Sequence, residues 1–350
     1  MNFFIIKHIR GGRQMIRLIA TDMDGTFLDS QKKFDKSFID LFYQMKEKNI
    51  KFVIASGNQY YRLYQKFLPL SDQMYFIAEN GSYIAKGTTE LHCDVISYQK
   101  VKEMVHILSQ YQRIFIILCG RKGAYILKDY FAYKNEVKKY YCAYSFIDSY
   151  DEIHDDIMKI AIYDKEQHIQ DLLDEIRQQL PDGVKIVTSG NEWMDIQNQH
   201  MHKGVGIKFL QDTYQINPDE CAAFGDQMND YEMLQEVKYA YAMSNAVEPI
   251  KNIAYEVIGS NDEQAVLKKI HDILEETEGK MKKVEFERMQ SVTVGFGGIK
   301  GSKYQFEGIE EKVKQRILDG WTYLGYVPII TRSTGDVETI SLIFEKEETA

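Results

Sequence analysis

An apolar run, Ile16-Arg17-Leu18-Ile19-Ala20-Thr21, ends in Asp22-Met23-Asp24-Gly25-Thr26, and this junction constrains the chain more than any other stretch. The run reads as a buried strand. Two carboxylates two residues apart, at the carboxyl end of such a strand, stand where open α/β sheets place their ligands. Residues i and i+2 of a strand point to one side, so Asp22 and Asp24 can face one substrate together. A carboxylate can attack phosphorus and form an aspartyl-phosphate. A second carboxyl beside it can pass a proton to the leaving oxygen and later activate water. Gly25 lets the chain turn without a Cβ clash. Alone, these five residues could equally be an acidic turn after a strand, so the rest of the chain has to decide.

Strand and helix patterns alternate from Met15 onward, as in βαβ units. A strand at 16–20 leads to a helix near 35–48 with Phe38, Leu41, Phe42 and Met45 on one face. A strand at 51–55 ends in Ser56-Gly57-Asn58, a helix follows at 60–67, and a strand at 75–78 ends in Glu79-Asn80-Gly81. Residues 82–187 change character: short strands (115–119, 124–128, 157–163) alternate with helices (98–111, 166–180), which reads as an inserted α+β module. The βα rhythm then resumes, with a strand near 193–197, a helix from Lys203 to Tyr214, a strand at 221–224 and another at 239–243.

The expected architecture is therefore α/β. A Rossmann-like three-layer core with a parallel sheet takes residues 15–81 and 188–275, and the module is inserted at 82–187. A linker follows at 276–282, and a small β-α-β-β domain takes 283–350. Residues 1–14 hold only a four-residue apolar patch, too short for a signal peptide or membrane span, and are expected to be a disordered extension or an artefact of start-site choice. No apolar run elsewhere reaches membrane length. At 350 residues, two or three domains are expected. The net charge of −9 argues against nucleic acid as a general partner. Residues 280–350 carry 11 basic and 11 acidic side chains, so the excess negative charge lies in residues 1–279. The four cysteines are scattered without a Cys-x-x-Cys, as suits reduced thiols in the cytosol.

Three further points supply what phosphoryl transfer needs. Ser56 offers a hydroxyl and a backbone N–H to a phosphate oxygen. Lys203 offers a point charge. Asp226, with Asn229 and Asp230 behind it, offers hard oxygen ligands, which together with Asp22 suit a Mg²⁺ site completed by water and phosphate. Each alone has a plainer reading, as a turn, a solvated lysine or a helix N-cap. Asp-x-Asp-Gly-Thr, Ser-Gly, Lys-Gly and Gly-Asp-x-x-Asn-Asp occur in that order, however, and three of the four follow an apolar strand.

In that order the chain resembles the haloacid dehalogenase-like hydrolases, and among them the Cof-type phosphatases with a large inserted cap. The likeness covers roughly residues 15–273. It extends to Glu79-Asn80-Gly81, to Tyr241-Ala242-Met243-Ser244-Asn245-Ala246 and to Ser260-Asn261-Asp262-Glu263. The resemblance implies that Asp22 is the nucleophile and Asp24 the general acid and base. It implies that Ser56, Gly57 and Lys203 bind the phosphoryl group with Asn229, and that Mg²⁺ rests on Asp22, the Asp24 backbone carbonyl and Asp226. Asp230 and Asn80 support the site from beside it. The expected activity is a Mg²⁺-dependent phosphatase acting on small phosphorylated metabolites, sugar phosphates or phosphorylated cofactors. A phosphomutase or phosphotransferase using the same site, or a phosphate sensor acting through the C-terminal domain, are the alternatives. With Mg²⁺ bound, Asp22 is expected to stay ionised while Asp24 carries a proton. Ion-pumping relatives have Lys where this chain has Asp24, which excludes that branch.

Asn58 departs from the resemblance, since many relatives carry Arg there. His200 and His202, before Lys203, either line the pocket or sit in an exposed loop, the second being favoured. The module is expected to close over the site, with hinges near 82–84 and 187–191. Its tyrosines (Tyr125, Tyr130, Tyr133, Tyr140, Tyr141, Tyr144) either stack on a ring or, more in keeping with their abundance, pack in its core. The tail lies outside the resemblance, with a glycine loop at 295–301 that matches no phosphate-binding pattern. It reads as a module for self-association or a protein partner, or as a neighbour of the cap.

Overall fold

The computed structural model describes residues 15–189, 191–277, 281–296, 302–331 and 337–348. The expected extension at 1–14, most of the glycine loop and the turn at 333–336 lie outside the described residues. The described residues divide into two units, one ending at Leu274 and one beginning at Glu275.

The larger unit opens with β1 (Leu18–Thr21), α1 (Phe38–Glu47), β2 (Lys51–Ala55), α2 (Tyr60–Lys66), β3 (Tyr75–Ala78), β4 (Tyr83–Lys86) and β5 (Thr89–Cys93). The inserted module follows as α3 (Tyr98–Leu108), β6 (Ile114–Gly120), β7 (Ala124–Leu127), α4 (Lys134–Tyr140), β8 (Tyr144–Ile147), β9 (Ile157–Asp164), α5 (Gln170–Gln179), β10 (Val184–Ser189) and β11 (Trp193–Asn198). The chain returns through α6 (Lys203–Tyr214), β12 (Cys221–Gly225), α7 (Tyr231–Gln235), β13 (Tyr239–Met243), α8 (Glu248–Ile253), β14 (Glu256–Ile258) and α9 (Ala265–Thr277).

The core is an eight-stranded sheet in the order β14-β13-β12-β1-β2-β3-β4-β5. Every residue of β1 is buried, as in a strand covered on both faces, and that is why it reads as an unbroken apolar run. From β1 the order runs outward in both directions. Right-handed crossovers then put helices on opposite faces and leave a crevice at the carboxyl ends of β1 and its neighbours. In α1 the buried residues are Phe38, Leu41, Phe42 and Met45, the expected face. The larger core joins the sheet to α1, α2, α6, α8 and α9.

Two expectations are corrected by strand pairing. The sheet is parallel from β14 to β3 only; β4 and β5 are antiparallel and extend the core edge. Residues 83–93 therefore belong to the core sheet and not to the module, because the turn at Glu79–Gly81 sends the chain back along β3 instead of out of the domain. Conversely β10 and β11 complete the module's six-stranded sheet, β10-β11-β9-β6-β7-β8. The apolar residues of 193–197 look like a core strand but pair with β9, Ile196 opposite Ile160. The crossings thus fall near 94–97 and 198–203, outside the expected hinges at 82–84 and 187–191. They are tied together: Asn198 Nδ2 donates to Asp94 Oδ2 at 2.6 Å, and His200 Nε2 lies 3.1 Å from Asp94 Oδ1.

Side chains of β6 alternate between the module's two cores, as a period of two demands. Ile116 and Leu118 pack with α3 and α5. Phe115, Ile117 and Cys119 pack with Val137 of α4, Tyr141 and Trp193, and Tyr130, Tyr133, Tyr140 and Tyr144 line that second core. Tyr125 packs against the first.

The smaller unit contains β15 (Met281–Gln290), β16 (Val292–Phe296), β17 (Ser302–Gln305), α10 (Ile309–Leu318), β18 (Thr322–Thr331) and β19 (Val337–Glu348). The single strand expected at 283–295 is two, since β15 joins an antiparallel sheet β15-β19-β18 while β16 pairs with β17. The expected linker at 276–282 is also shorter: α9 runs through Thr277 and β15 begins at Met281. Met289, Trp321, Ile340, Leu342 and Phe344 form this unit's core, with Ile309 and Val313 of α10 against it.

Candidate active site

Asp22 leaves β1 with its N–H donating to the Phe224 carbonyl of β12 at 3.0 Å, so the ends of the two strands are laced together. Gly25 has φ +84°, and a Cβ there would lie 2.5 Å from Asp226 Oδ2; neither the conformation nor the space admits a side chain. Thr26 then donates its hydroxyl to Asp226 Oδ1 at 2.7 Å. Phe27 anchors the loop in an aromatic cluster, 4.9 Å from Phe38 and 5.8 Å from Phe52 between ring centres. Two of the distant sequence markers brace the same loop: Asn245 Nδ2 donates to the Gly25 carbonyl and Asn261 Nδ2 to that of Leu28, both at 2.8 Å.

Lys203, the first residue of α6, is fully buried. Its Nζ donates to Asp22 Oδ1 and to Asp230 Oδ1, each at 2.6 Å. The other Asp230 oxygen accepts the N–H groups of Asp226 (2.9 Å) and Gln227 (3.0 Å). Both oxygens of Asp230 are thus engaged, and its part is to hold Lys203 and the loop after β12. Carboxylate oxygens of Asp22, Asp226 and Asp230 lie within 4.8 Å of one another, all buried. One ammonium against three carboxylates leaves an excess of negative charge that a divalent cation would balance, and hard oxygens are the ligands such an ion takes. Asp22 and Asp226 are the residues that could hold it.

Burial pushes the Asp22 carboxyl well above its ordinary range; Asp230 and Asp226 push the same way, and Lys203 offsets them only in part. Asp226 is pushed up to about 6, chiefly by burial. Burial would raise Asp24 too. The Lys32 ammonium at 2.8 Å, the Asn58 amide at 2.9 Å and the charge of Arg62 outweigh it and hold Asp24 below the usual range. The protein's own groups thus push Asp22 up and hold Asp24 down, whereas the expected order of ionised Asp22 and proton-carrying Asp24 belongs to the Mg²⁺-bound site.

Ser56 leaves β2 with its N–H donating to Ile77 at 2.8 Å, and its hydroxyl accepts from the Asn58 N–H (3.1 Å) and side-chain amide (3.0 Å). Gly57 faces Asn80, where a Cβ would stand 2.9 Å from Oδ1. Asn80, at φ +53°, accepts from Asn229 Nδ2 at 3.4 Å. Asp22, Asp24, Ser56, Gly57, Asn80, Lys203 and Asn229 all line one cavity of about 870 Å³, roofed by the inserted module, with Asp226 and Asp230 behind its wall. Of the two histidines, His202 lines this cavity, its pKa lowered by burial, while His200 is largely exposed.

Four contributors escaped sequence reasoning. Lys32 and Thr26 carry no signal beyond proximity to the first motif. Arg62 stands one helical turn after Asn58, so its place on the same face was readable from spacing. Lys159, in an apolar strand of the module, donates to the Gly57 carbonyl at 3.0 Å and pairs with Glu79 (2.6 Å) and Asp195 (3.0 Å). A lysine inside an apolar strand was the available clue.

A family model described as haloacid dehalogenase-like hydrolase matches residues 19–270. The 5-amino-6-(5-phospho-D-ribitylamino)uracil phosphatase YbjI of Escherichia coli is 33% identical over 261 residues, 74% of this chain and 96% of that protein. Phosphatase YwpJ of Bacillus subtilis is 24% identical, with 72% of this chain and 97% of that protein covered. Among solved structures, SMU.1108c from Streptococcus mutans is 30% identical with a TM-score of 0.68, covering 74% of this chain and 99% of that one. Residues 275–350 lie beyond the matched family segment.

Proposed function

We propose that this chain, which belongs to the haloacid dehalogenase-like hydrolases and is a phosphoric monoester hydrolase, uses Mg²⁺ and an Asp22 phospho-enzyme to release phosphate from a small phosphorylated metabolite. The observation that carries this reading is the convergence of Asp22, Asp24, Ser56 and Lys203 on one cavity, with Asp22 also a member of the buried Asp22, Asp226 and Asp230 cluster. The ribitylaminouracil phosphate named for the Escherichia coli relative supports a phosphorylated polyol carrying a ring as the substrate class.

In this reading an Asp22 carboxylate oxygen forms a bond to phosphorus as the ester oxygen departs. Asp24 gives its proton to that oxygen, so the alcohol leaves neutral. Asp24 then takes a proton from water, whose oxygen attacks phosphorus and releases Asp22 and phosphate. Lys203 and the Ser56 hydroxyl face the charge spread over the equatorial oxygens, with Gly57 and Asn229 beside them; the Ser56 N–H, expected to join them, is taken by the Ile77 carbonyl. Mg²⁺ on Asp22 and Asp226, with the Asp24 carbonyl, would neutralise negative charge there and favour the ionised form of Asp22. Asp230 and Asn80 hold Lys203 and Gly57 in place.

The test is phosphate release from a panel of small esters, with Mg²⁺ and with EDTA, for wild type and Asp22→Asn. Release should require both Mg²⁺ and Asp22. Substantial turnover by Asp22→Asn would remove the nucleophile assignment. Turnover only with a sugar acceptor, without free phosphate, would favour phosphotransfer.

A further inference from the structure

The cavity is lined by residues with buried polar atoms that the protein leaves unused. Among the described residues, Arg62 Nη1, Trp193 Nε1, Gln197 Oε1 and His202 Nδ1 are buried without a hydrogen-bond partner, and all four residues line the cavity. Trp193 is 8% exposed and Gln197 fully buried. A buried donor or acceptor without a partner is costly, so four along one cavity point to a ligand that completes them, and Arg62, Trp193 and Gln197 are the ones tied to the aromatic wall or to the strand that carries it. Gln197 is held in place by its amide, which donates to the Met201 carbonyl at 2.6 Å. The Arg62 guanidinium lies 5.6 Å from the Tyr140 ring centre, and Tyr140 meets Trp193 edge-on at 4.8 Å. Arg62 is close enough to Asp24 for its charge to act on that carboxyl, which places it on the side where the alcohol leaves.

We infer that Arg62, Trp193 and Gln197 form a recognition site for the leaving alcohol, and that it takes a neutral, planar group bearing carbonyl acceptors and an N–H donor. Two donors match carbonyl oxygens, the Gln197 acceptor matches a ring N–H, and Tyr140 offers an aromatic wall. The inference deepens the phosphatase reading above and rests on it.

The test compares kcat/KM for three esters: ribitol 5-phosphate, 5-amino-6-(5-phospho-D-ribitylamino)uracil, and fructose 1,6-bisphosphate, with p-nitrophenyl phosphate as a check on general turnover. Wild type should prefer the ring-bearing ester to ribitol 5-phosphate. Arg62→Met should cut that preference by about 10- to 100-fold, the worth of a hydrogen bond to a charged group. Trp193→Phe, which keeps the ring and loses only the N–H, should cut it by about 5-fold. Equal losses on the ring-bearing and bare esters, or a larger loss on the bisphosphate, would overturn the inference. So would wild type that turns over p-nitrophenyl phosphate yet shows no ring preference. Failure to release phosphate from any ester would instead sink the phosphatase reading, and this one with it.

Discussion

A single buried ammonium organises the centre of the site. Lys203 answers Asp22 and Asp230 at 2.6 Å each, and its own pKa is raised by the two carboxylates against the pull of burial. Asp22 is the partner that burial leaves short of ionisation, and this is the physical case for a cation in the reaction. A second carboxylate, remote from the chemistry, shows the opposite balance. Asp164 accepts from Arg113 Nη2 at 2.6 Å and Nε at 3.1 Å, and from the N–H groups of Glu166 and His168. Burial would raise its carboxyl, but these bonds outweigh burial and hold it below the ordinary range. A carboxyl depressed in the folded state contributes stability above its unfolded pKa and loses it as pH falls through the folded one. Asp164→Asn should therefore lower the unfolding free energy by about 2 kcal/mol near neutral pH. The gap to wild type should close as pH approaches 3. Denaturant unfolding at several pH values measures it, and a gap independent of pH would contradict the assignment.

At the scale of elements, β9 of the inserted module carries the core's closest polar link to its roof. Lys159, Glu79 and Asp195 are a nearly dry cluster. The two carboxylates hold Lys159 in its charged form, whereas burial pushes Glu79 up despite its partner. Removing one member of such a cluster leaves the others buried and unpaired, at a cost of about 3–5 kcal/mol. Lys159→Met should lower stability by that amount, and adding Glu79→Gln and Asp195→Asn should recover much of it. A triple variant no more stable than the single one would show that packing, and not charge, is at stake. This cluster also marks where the sequence stops being readable. Strands β1, β2, β3, β12 and β13 were legible because burial on both faces makes them continuous apolar runs. The residues at their ends were legible because Asp, Ser and Gly at a strand's carboxyl end have few other uses together. The borders of the module were not. Nothing local distinguishes β4 turning back beside β3 from a chain leaving the core, or β11 pairing with β9 from a strand rejoining the core sheet. For β11 the choice is made by partners 30 to 36 residues away in the chain, and for β4 by the turn that folds it back onto β3. Asn58 stood out as a departure, and Arg62 four residues on was readable from spacing, yet the bonds of Asn58 to Asp24 and Ser56 became visible only with the fold in place.

At the scale of the molecule, the residues proposed for phosphoryl transfer all lie in the unit Gln14–Leu274, and the Glu275–Ala350 segment is a unit of its own. That segment carries its own core, and its residues 280–350 balance 11 basic against 11 acidic side chains. Its outermost strand, β18, is an edge of the sheet β15-β19-β18. On it Leu324, Tyr326, Ile329 and Ile330 are each between 45% and 61% exposed. Long apolar edge strands are templates for pairing with another chain unless something covers them. We propose that β18 carries self-association. A chain ending at Thr277 should release phosphate with the kcat/KM of the full protein yet sediment at a lower mass. Tyr326→Lys in the full chain should lower the mass in the same way, since a charge on an edge blocks pairing. A full-length monomer would remove self-association as the role of this unit. A truncated chain with altered kinetics would tie the unit to substrate access instead.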